Sequence, residues 1–412
     1  MIDYFNLLGI TNLLISFFTL YVIIKKHKIS SFIFFGWVGL FIYSIPNYIN
    51  FTREMYSVGD QASMFKDPSL ESKLVYFLFW IGFLLSTILL KDKNKYIEKV
   101  NTFKPNLKNL RITCEIYMIL YISYFLFFES QSIFILILSR WLFIFLGVIY
   151  AIEKKYFKLS LLLFILSIYS IYLPDRTLIV IGFFSIFPIM LIYNSNILKK
   201  YKFIIFISFL LLFVLVIFNK LFYNISIKNE VSFSLNKYNI THFINVLNKL
   251  RYSFEPFMIQ SHMEEALKNE NFDTFLYLKS IFSNLFIVPE YFGLSNDYYY
   301  NNLIANIPVE IGYGRAGSIF ASTFLAFSYH GLIFFGFLTG CILISIGNFV
   351  KNSNSNLVIL FSVIGGLISV YLYRNSLDNF LSFVKQLFIV YFFLKIQTVI
   401  FANSIKIKTK ID

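Results

Sequence analysis

Phe5-Asn6-Leu7-Leu8-Gly9-Ile10-Thr11-Asn12-Leu13-Leu14-Ile15-Ser16-Phe17-Phe18-Thr19-Leu20-Tyr21-Val22-Ile23-Ile24, followed at once by Lys25, Lys26, His27 and Lys28, decides the fold. An uncharged run of this length matches the hydrocarbon thickness of a bilayer when wound as a helix. No basic residue precedes it and lysines follow it, the reverse of a secretory signal, so it reads as a retained span. Similar or slightly shorter runs recur at Phe32 to Ile49, Leu74 to Leu90, Ile112 to Phe128, Ile133 to Ile152, Leu159 to Leu173, Leu178 to Ile192, Phe203 to Leu221, Leu332 to Val350, Leu357 to Tyr373 and Phe380 to Phe401. At that depth no water satisfies an open backbone, so each run must be helical.

The composition agrees. Of 412 residues, 58% are hydrophobic and 14% charged, with 53 Phe and 29 Tyr, more apolar surface than one soluble core can hide. The expected fold is all-α, a polytopic helical membrane protein with about eleven spans. The formal charge of +14 is not a nucleic-acid signature, because the lysines sit in short clusters between apolar runs. Cys114 and Cys341 both lie inside apolar runs, which leaves no disulfide framework and no CxxC metal site.

The lysine clusters set the orientation. Lys25, Lys26 and Lys28; Lys91 to Arg111; Lys154, Lys155 and Lys158; Lys199, Lys200 and Lys202; Lys351; and Lys406, Lys408 and Lys410 fall in alternate connections. The positive-inside rule places these in the cytoplasm, with the N-terminus outside and the C-terminus inside. Ile319 to Phe327 is apolar but too short to cross, and counting it as a span would put Lys351 on the wrong side. It is expected to be a re-entrant or interfacial helix. The chain then reads as one membrane domain, 1–412, with one large outer loop, 222–318, between the eighth and ninth spans.

Several charges are not explained by topology. Arg176 sits in a tight outer turn, Arg374 at another outer helix end, and Arg251 and Arg315 in the loop. Arginine's planar fork suits bidentate phosphate binding, although each of the four can also snorkel to headgroups or pair with an acid such as Asp175 or Asp378. Arg140 lies on the order of 12 Å inside its span, where arginine is costly enough to be a functional candidate or one half of a structural pair. Glu115, four residues after Arg111, is in ion-pair register and needs no further role.

The loop ends in Gly312-Tyr313-Gly314-Arg315-Ala316-Gly317-Ser318. Gly312, Gly314 and Gly317 match the dinucleotide fingerprint literally, but no strand of a βαβ unit precedes them. Their physics is that of a phosphate cradle at a helix start, or of a plain hinge. Between Ile240 and Lys268 apolar residues recur at helical spacing, which predicts two amphipathic surface helices broken at Pro256. On the second, His262, Glu264 and Glu265 are candidates for a general base, with His262 and Glu265 preferred; a solvated helix face is the plainer reading. No metal and no cofactor is expected, because no zinc-type His/Cys spacing and no Asp-x-Asp pair lies outside.

From Gly312 to Gly340 the sequence Gly-Tyr-Gly-Arg-Ala-Gly-Ser-Ile-Phe-Ala-Ser-Thr-Phe-Leu-Ala-Phe-Ser-Tyr-His-Gly-Leu-Ile-Phe-Phe-Gly-Phe-Leu-Thr-Gly resembles the bacterial O-antigen polymerase family, the Wzy-type oligosaccharide repeat-unit polymerases. In that family a glycine-serine segment runs into a short helix, then a Phe-Gly-x-x-Gly turn and a span ending in glycine. Arg176, opening a span as Arg-x-Leu-Ile, and Arg374 also resemble family positions. Two positions depart: Ser322 stands where members often carry Glu, and Ser328 where the turn glycine is expected.

The resemblance implies a glycosyltransferase of the bacterial inner membrane, with the loop in the periplasm. It would join oligosaccharide repeats carried on undecaprenyl pyrophosphate, alongside a chain-length regulator protein. Arg176, Arg251, Arg315 and Arg374 would hold the pyrophosphate, and His262 or Glu265 would take the proton of the attacking hydroxyl. A lipid-linked oligosaccharide flippase, an O-antigen ligase and a non-enzymatic scaffold are the alternatives.

Overall fold

The computed structural model describes residues 4–27, 31–48, 68–90, 105, 107–127, 133–172, 176–193, 255–268, 274–285, 318–375 and 377–408. All regular structure among the described residues is helix. The helices are α1 (Tyr4–Lys26), α2 (Phe32–Tyr48), α3 (Leu70–Leu89), α4 (Lys108–Phe127), α5 (Ile133–Ile152), α6 (Tyr156–Tyr172), α7 (Arg176–Tyr193), α8 (Glu255–Lys268), α9 (Thr274–Leu285), α10 (Ile319–Asn352), α11 (Leu357–Arg374) and α12 (Leu377–Lys408). Five of them contain stretches long and apolar enough to cross a membrane: Leu7–Lys26, Leu70–Leu89, Ile319–Asn352, Leu357–Arg374 and Phe380–Asn403. Further apolar segments at Phe32–Tyr48, Ile137–Ile152, Tyr156–Ile165 and Ile179–Tyr193 are shorter. The protein is therefore a helical, multi-pass membrane protein. The expected span at Phe203 to Leu221 lies outside the described residues.

The bundle has two chemically different ends. At one, Arg111 pairs with Glu153 and, at 3.8 Å, with Glu115; Lys155 reaches Glu153 at 2.8 Å and Lys158 reaches Glu115 at 2.9 Å. That network ties α4 to the turn between α5 and α6, with Arg111 and Glu115 in the register their spacing predicts. Nearby in kind, Lys26 donates to the Ile88 carbonyl at 2.8 Å and the His27 ring lies 3.0 Å from the Thr87 carbonyl, satisfying the last turn of α3. The other end is covered by α8, which packs on α2, α3 and α10.

Helix α11 is the hub. It packs on α2, α5, α7, α10 and α12, and most of its length is buried. Two adjacent glycines make the approach possible: a Cβ at Gly365 would press on the Phe32 ring of α2, and one at Gly366 would overlap Ser185 of α7. In lipid, where apolar surface alone gives helices no reason to associate, such small-residue contacts provide the packing.

Helix α10 turns sharply at Ser328, which has φ 55° and ψ −156°. A continuous helix would separate Phe320 from Gly336 by about 24 Å. Instead both lie against Phe79: the Phe320 ring is 5.0 Å from the Phe79 ring, and a Cβ on Gly336 would overlap the Phe79 carbonyl. Thr323 comes within 3.2 Å of where a Gly331 Cβ would sit, and the Phe324 and Tyr329 rings are 5.1 Å apart. The segment Ile319 to Phe327 is thus a separate short helix folded back against the long one. Ser328 occupies the position where a turn glycine is expected, and it adopts a backbone that favours glycine.

Candidate functional site

The Ser328 turn positions the short helix beneath α8. Ser318 caps it, its Oγ accepting from the Ala321 N–H at 3.3 Å, and residues from Ser318 to Ala326 are buried. From this helix Phe320 projects between two tyrosines. Its ring is 4.3 Å from Tyr76 of α3 and 6.4 Å from Tyr373 of α11, nearly parallel to the latter. The stack Tyr76–Phe320–Tyr373 therefore links two polar clusters at the capped end.

The first cluster is built on guanidinium and aromatic groups. Tyr371 and Phe383 are 4.5 Å apart across the junction of α11 and α12. Arg140 of α5 lies 5.6 Å from the Phe383 ring, and Arg374, the last residue of α11, lies 5.8 Å from the Tyr371 ring. The ring pair thus carries one guanidinium on each member, an arrangement that arginine's weakly hydrated plane tolerates and lysine's ammonium does not reproduce. Trp141 packs on Phe383 at 6.0 Å and is fully buried, and its indole N–H has no acceptor among the described residues. Asn375 closes the end of α11, its backbone N–H donating to Tyr371 at 3.1 Å.

Helix α7 begins at Arg176 and packs on both α5 and α11, so the helices carrying Arg140, Arg176 and Arg374 are mutually adjacent. The Arg176 side chain is not among the described ones. Arg251, Arg315, Gly312, Gly314 and Gly317 lie outside the described residues, as does the first of the two expected amphipathic helices.

The second cluster is built on one carboxylate and two amides. Glu264 and Gln260 sit four apart on the inward face of α8. The Glu264 Oε1 accepts from the backbone N–H of Ser69 at 2.9 Å and from Gln260 Nε2 at 2.8 Å. Gln260 also donates to Ser72 Oγ at 2.6 Å and accepts from Asn47 Nδ2 at 3.0 Å. Ser69 is the N-cap of α3, so the carboxylate sits at the positive end of that helix. Burial raises the Glu264 pKa above the usual carboxylate range, against the lowering effect of its hydrogen bonds with Ser69, Ser72 and Gln260. Tyr76 of α3 feels the Glu264 charge, and its buried hydroxyl lies within reach of the Asn47 amide; the buried hydroxyls of Thr323 on the short helix and Tyr373 on α11 have no hydrogen bond among the described residues. Buried hydroxyls and amides of this kind are suited to a hydroxyl-rich ligand or ordered water.

His262 and Glu265, the acid–base candidates preferred from sequence, lie on the same helix, and their side chains are outside the described set. Pro256 opens α8 in its first turn, where its missing N–H costs no helix bond, so at this point it starts a helix. Helix α9 was not foreseen in the loop. Its Thr274 hydroxyl donates to the Ala326 carbonyl, and its Tyr277 packs edge-on to Phe327 at 5.6 Å, bracing the short helix. Ser322, where the resembled family often carries Glu, donates to the Ile319 carbonyl at 3.3 Å. Asn47, Ser69, Ser72, Tyr76 and Gln260 had no motif to mark them; the i, i+4 pair of Gln260 and Glu264 was the available signal. No protein-family model, curated protein or solved structure matches the chain.

Proposed function

We propose that the chain is a surface-polysaccharide polymerase of the O-antigen (Wzy) type, a glycosyltransferase of the bacterial inner membrane. It joins oligosaccharide repeat units carried on undecaprenyl pyrophosphate. In this reading eleven spans cross the bilayer, the N-terminus is periplasmic, the C-terminus is cytoplasmic, and α8 and α9 belong to the periplasmic loop. One observation carries the proposal: Arg140 and Arg374 flank the Tyr371–Phe383 pair at the capped end, opposite the Arg111 ion-pair network. Cations needed only for orientation belong with the lysine clusters. Arginines placed away from them, partly buried and backed by aromatic rings, suit an anion held at the membrane boundary.

A departing polyprenyl pyrophosphate is such an anion, and its negative charge grows as the glycosidic bond breaks. Guanidinium groups fixed in advance stabilise that charge without reorganising. Arg176, at the start of the adjacent helix, completes the set, with Arg251, Arg315 and the Gly312–Gly317 cradle contributed by the loop. The stack of Tyr76, Phe320 and Tyr373, with its two buried hydroxyls, provides the apolar faces and hydrogen-bonding groups that sugar rings require.

Surface polysaccharide resolved on a gel tests this. Deletion of a polymerase leaves a single repeat on the core, deletion of a flippase or a ligase leaves none, and an unchanged ladder ends the enzyme reading.

A further inference from the structure

Glycosyl transfer has a second requirement that the arginines do not meet. The attacking hydroxyl oxygen forms a bond to the anomeric carbon of the donor, and the bond from that carbon to the pyrophosphate oxygen breaks with its electron pair. The hydroxyl proton must therefore leave. Resting on the polymerase reading above, we propose that Glu264 is the catalytic group that accepts this proton, with Gln260 as its positioning residue. The carboxylate afterwards releases the proton to water, so atoms and charges balance.

The geometry fits the role. Two donors, the Ser69 N–H and Gln260 Nε2, bind the same oxygen, Oε1, and fix the carboxylate's orientation. Neither comes from a cationic side chain, and among the described residues no salt bridge to Glu264 is seen. Gln260 is itself held on both sides, by Asn47 and Ser72, which fixes which of its atoms faces Glu264. Beside it the buried Tyr76 hydroxyl and the Asn47 amide lie within reach of each other, polar groups with which an acceptor sugar's other hydroxyls would exchange. The cluster lies at the same end of the bundle as Arg374, joined to it through Tyr76, Phe320 and Tyr373.

A structural role and a proton-accepting role predict opposite pH dependences. Burial holds the folded-state pKa of Glu264 above its unfolded value, so the folded protein keeps a proton that the unfolded chain has released. Its contribution to stability is full at low pH and declines as pH rises through that window. A base behaves the other way: it works only when deprotonated, so the rate falls as pH drops through the raised value. Other titratable or charged groups on the elements meeting here are Glu71, Lys73 and Tyr76 on α3, Tyr43 and Tyr48 on α2, Tyr329, His330, Cys341 and Lys351 on α10, and Glu255, His262, Glu265 and Lys268 on α8 itself. Variants must therefore show which group owns the limb.

The test uses the full-length protein in detergent, with undecaprenyl-pyrophosphate-linked repeat units extracted from the deletion strain as the probe. Polymer length on a gel, taken over time, gives the rate. Wild type is expected to lose rate on acidification, with a midpoint above the ordinary carboxylate range. Glu264→Gln should lower the rate on the order of 100-fold at unchanged thermal stability, and abolish the limb. Glu264→Asp should retain part of the rate and move the limb, and Gln260→Leu should shift it while leaving substrate half-saturation near wild type. A flat wild-type profile, a limb that persists in Glu264→Gln, an unmoved limb in Glu264→Asp, or activity lost only in proportion to folded protein overturns the assignment. Failure of wild type to polymerise the probe at all overturns the polymerase reading instead.

Discussion

Ser328 pairs a positive φ with an extended ψ, a combination in which a Cβ meets its own backbone. Holding a serine there costs about 1–3 kcal/mol, which the packing of Phe320 and Phe327 on either side must supply. Ser328→Gly is therefore expected to raise the melting temperature in detergent, or at least to preserve it, while Ser328→Val lowers it and loosens the short helix. A melting temperature that falls equally in both variants would mean that the hydroxyl, and not the backbone, is what matters. At the other polar cluster, Arg140→Lys and Arg374→Lys preserve charge but remove the planar group stacked on Phe383 and Tyr371. Each should lower polymerisation on the order of 100-fold with protein level unchanged, and full ladders in both would count against an anion held by guanidinium.

At the scale of elements, the most extensive seam among the described helices runs between α3 and α10. A Cβ on Gly82 would overlap the Ile333 carbonyl, one on Gly336 the Phe79 carbonyl, and one on Gly340 the Ser86 hydroxyl. The contacts at Gly82 and Gly336 are with backbone, which has no flexible atom to yield, so Gly336→Ala and Gly82→Ala should each destabilise by about 1–3 kcal/mol, read as a lowered thermal midpoint. Gly347→Ala, whose nearest neighbour would be the Phe32 nitrogen at 3.9 Å, is the matched control and should be silent. The seam also shows what the sequence conceals. Gly336 and Gly340, four residues apart inside α10, read in sequence only as glycines of a span, because a glycine admits close packing and a turn equally. That Ile319 to Phe327 forms a helical unit of its own was legible, since its apolar run is short and bounded. The carboxylate cluster was not: Glu264 and Glu265 are chemically identical in a sequence, and only the docking of α8 onto Ser69 and Ser72 separates them. The guanidinium cluster was half legible. Intramembrane arginine announces itself by its cost, but its aromatic support comes from Tyr371 and Phe383, residues too common in this chain to stand out.

For the whole molecule, the lysine clusters and the position of α8 make one joint prediction about sidedness. The two ends of the bundle differ in kind, with an ion-pair network at Arg111, Glu115 and Glu153 at one and the Glu264 cluster under α8 at the other. If the positive-inside rule governs insertion, the first end is cytoplasmic and every group proposed to touch substrate is periplasmic. Eleven crossings also require the termini on opposite faces, whereas counting Ile319 to Phe327 as a crossing would put them on the same face. Cys114 and Cys341 are both free, so a background carrying Cys114→Ala and Cys341→Ala isolates single reporters. In that background Ile2→Cys and Ser132→Cys should react with a membrane-impermeant maleimide in spheroplasts, while Asn196→Cys and Lys410→Cys should react only after permeabilisation. Labelling of Ile2→Cys and Lys410→Cys from the same side would make the number of crossings even. Labelling of Asn196→Cys from outside would place the arginines and Glu264 in the cytoplasm, where undecaprenyl-linked repeats are assembled but not joined, and the polymerase reading would fall with it.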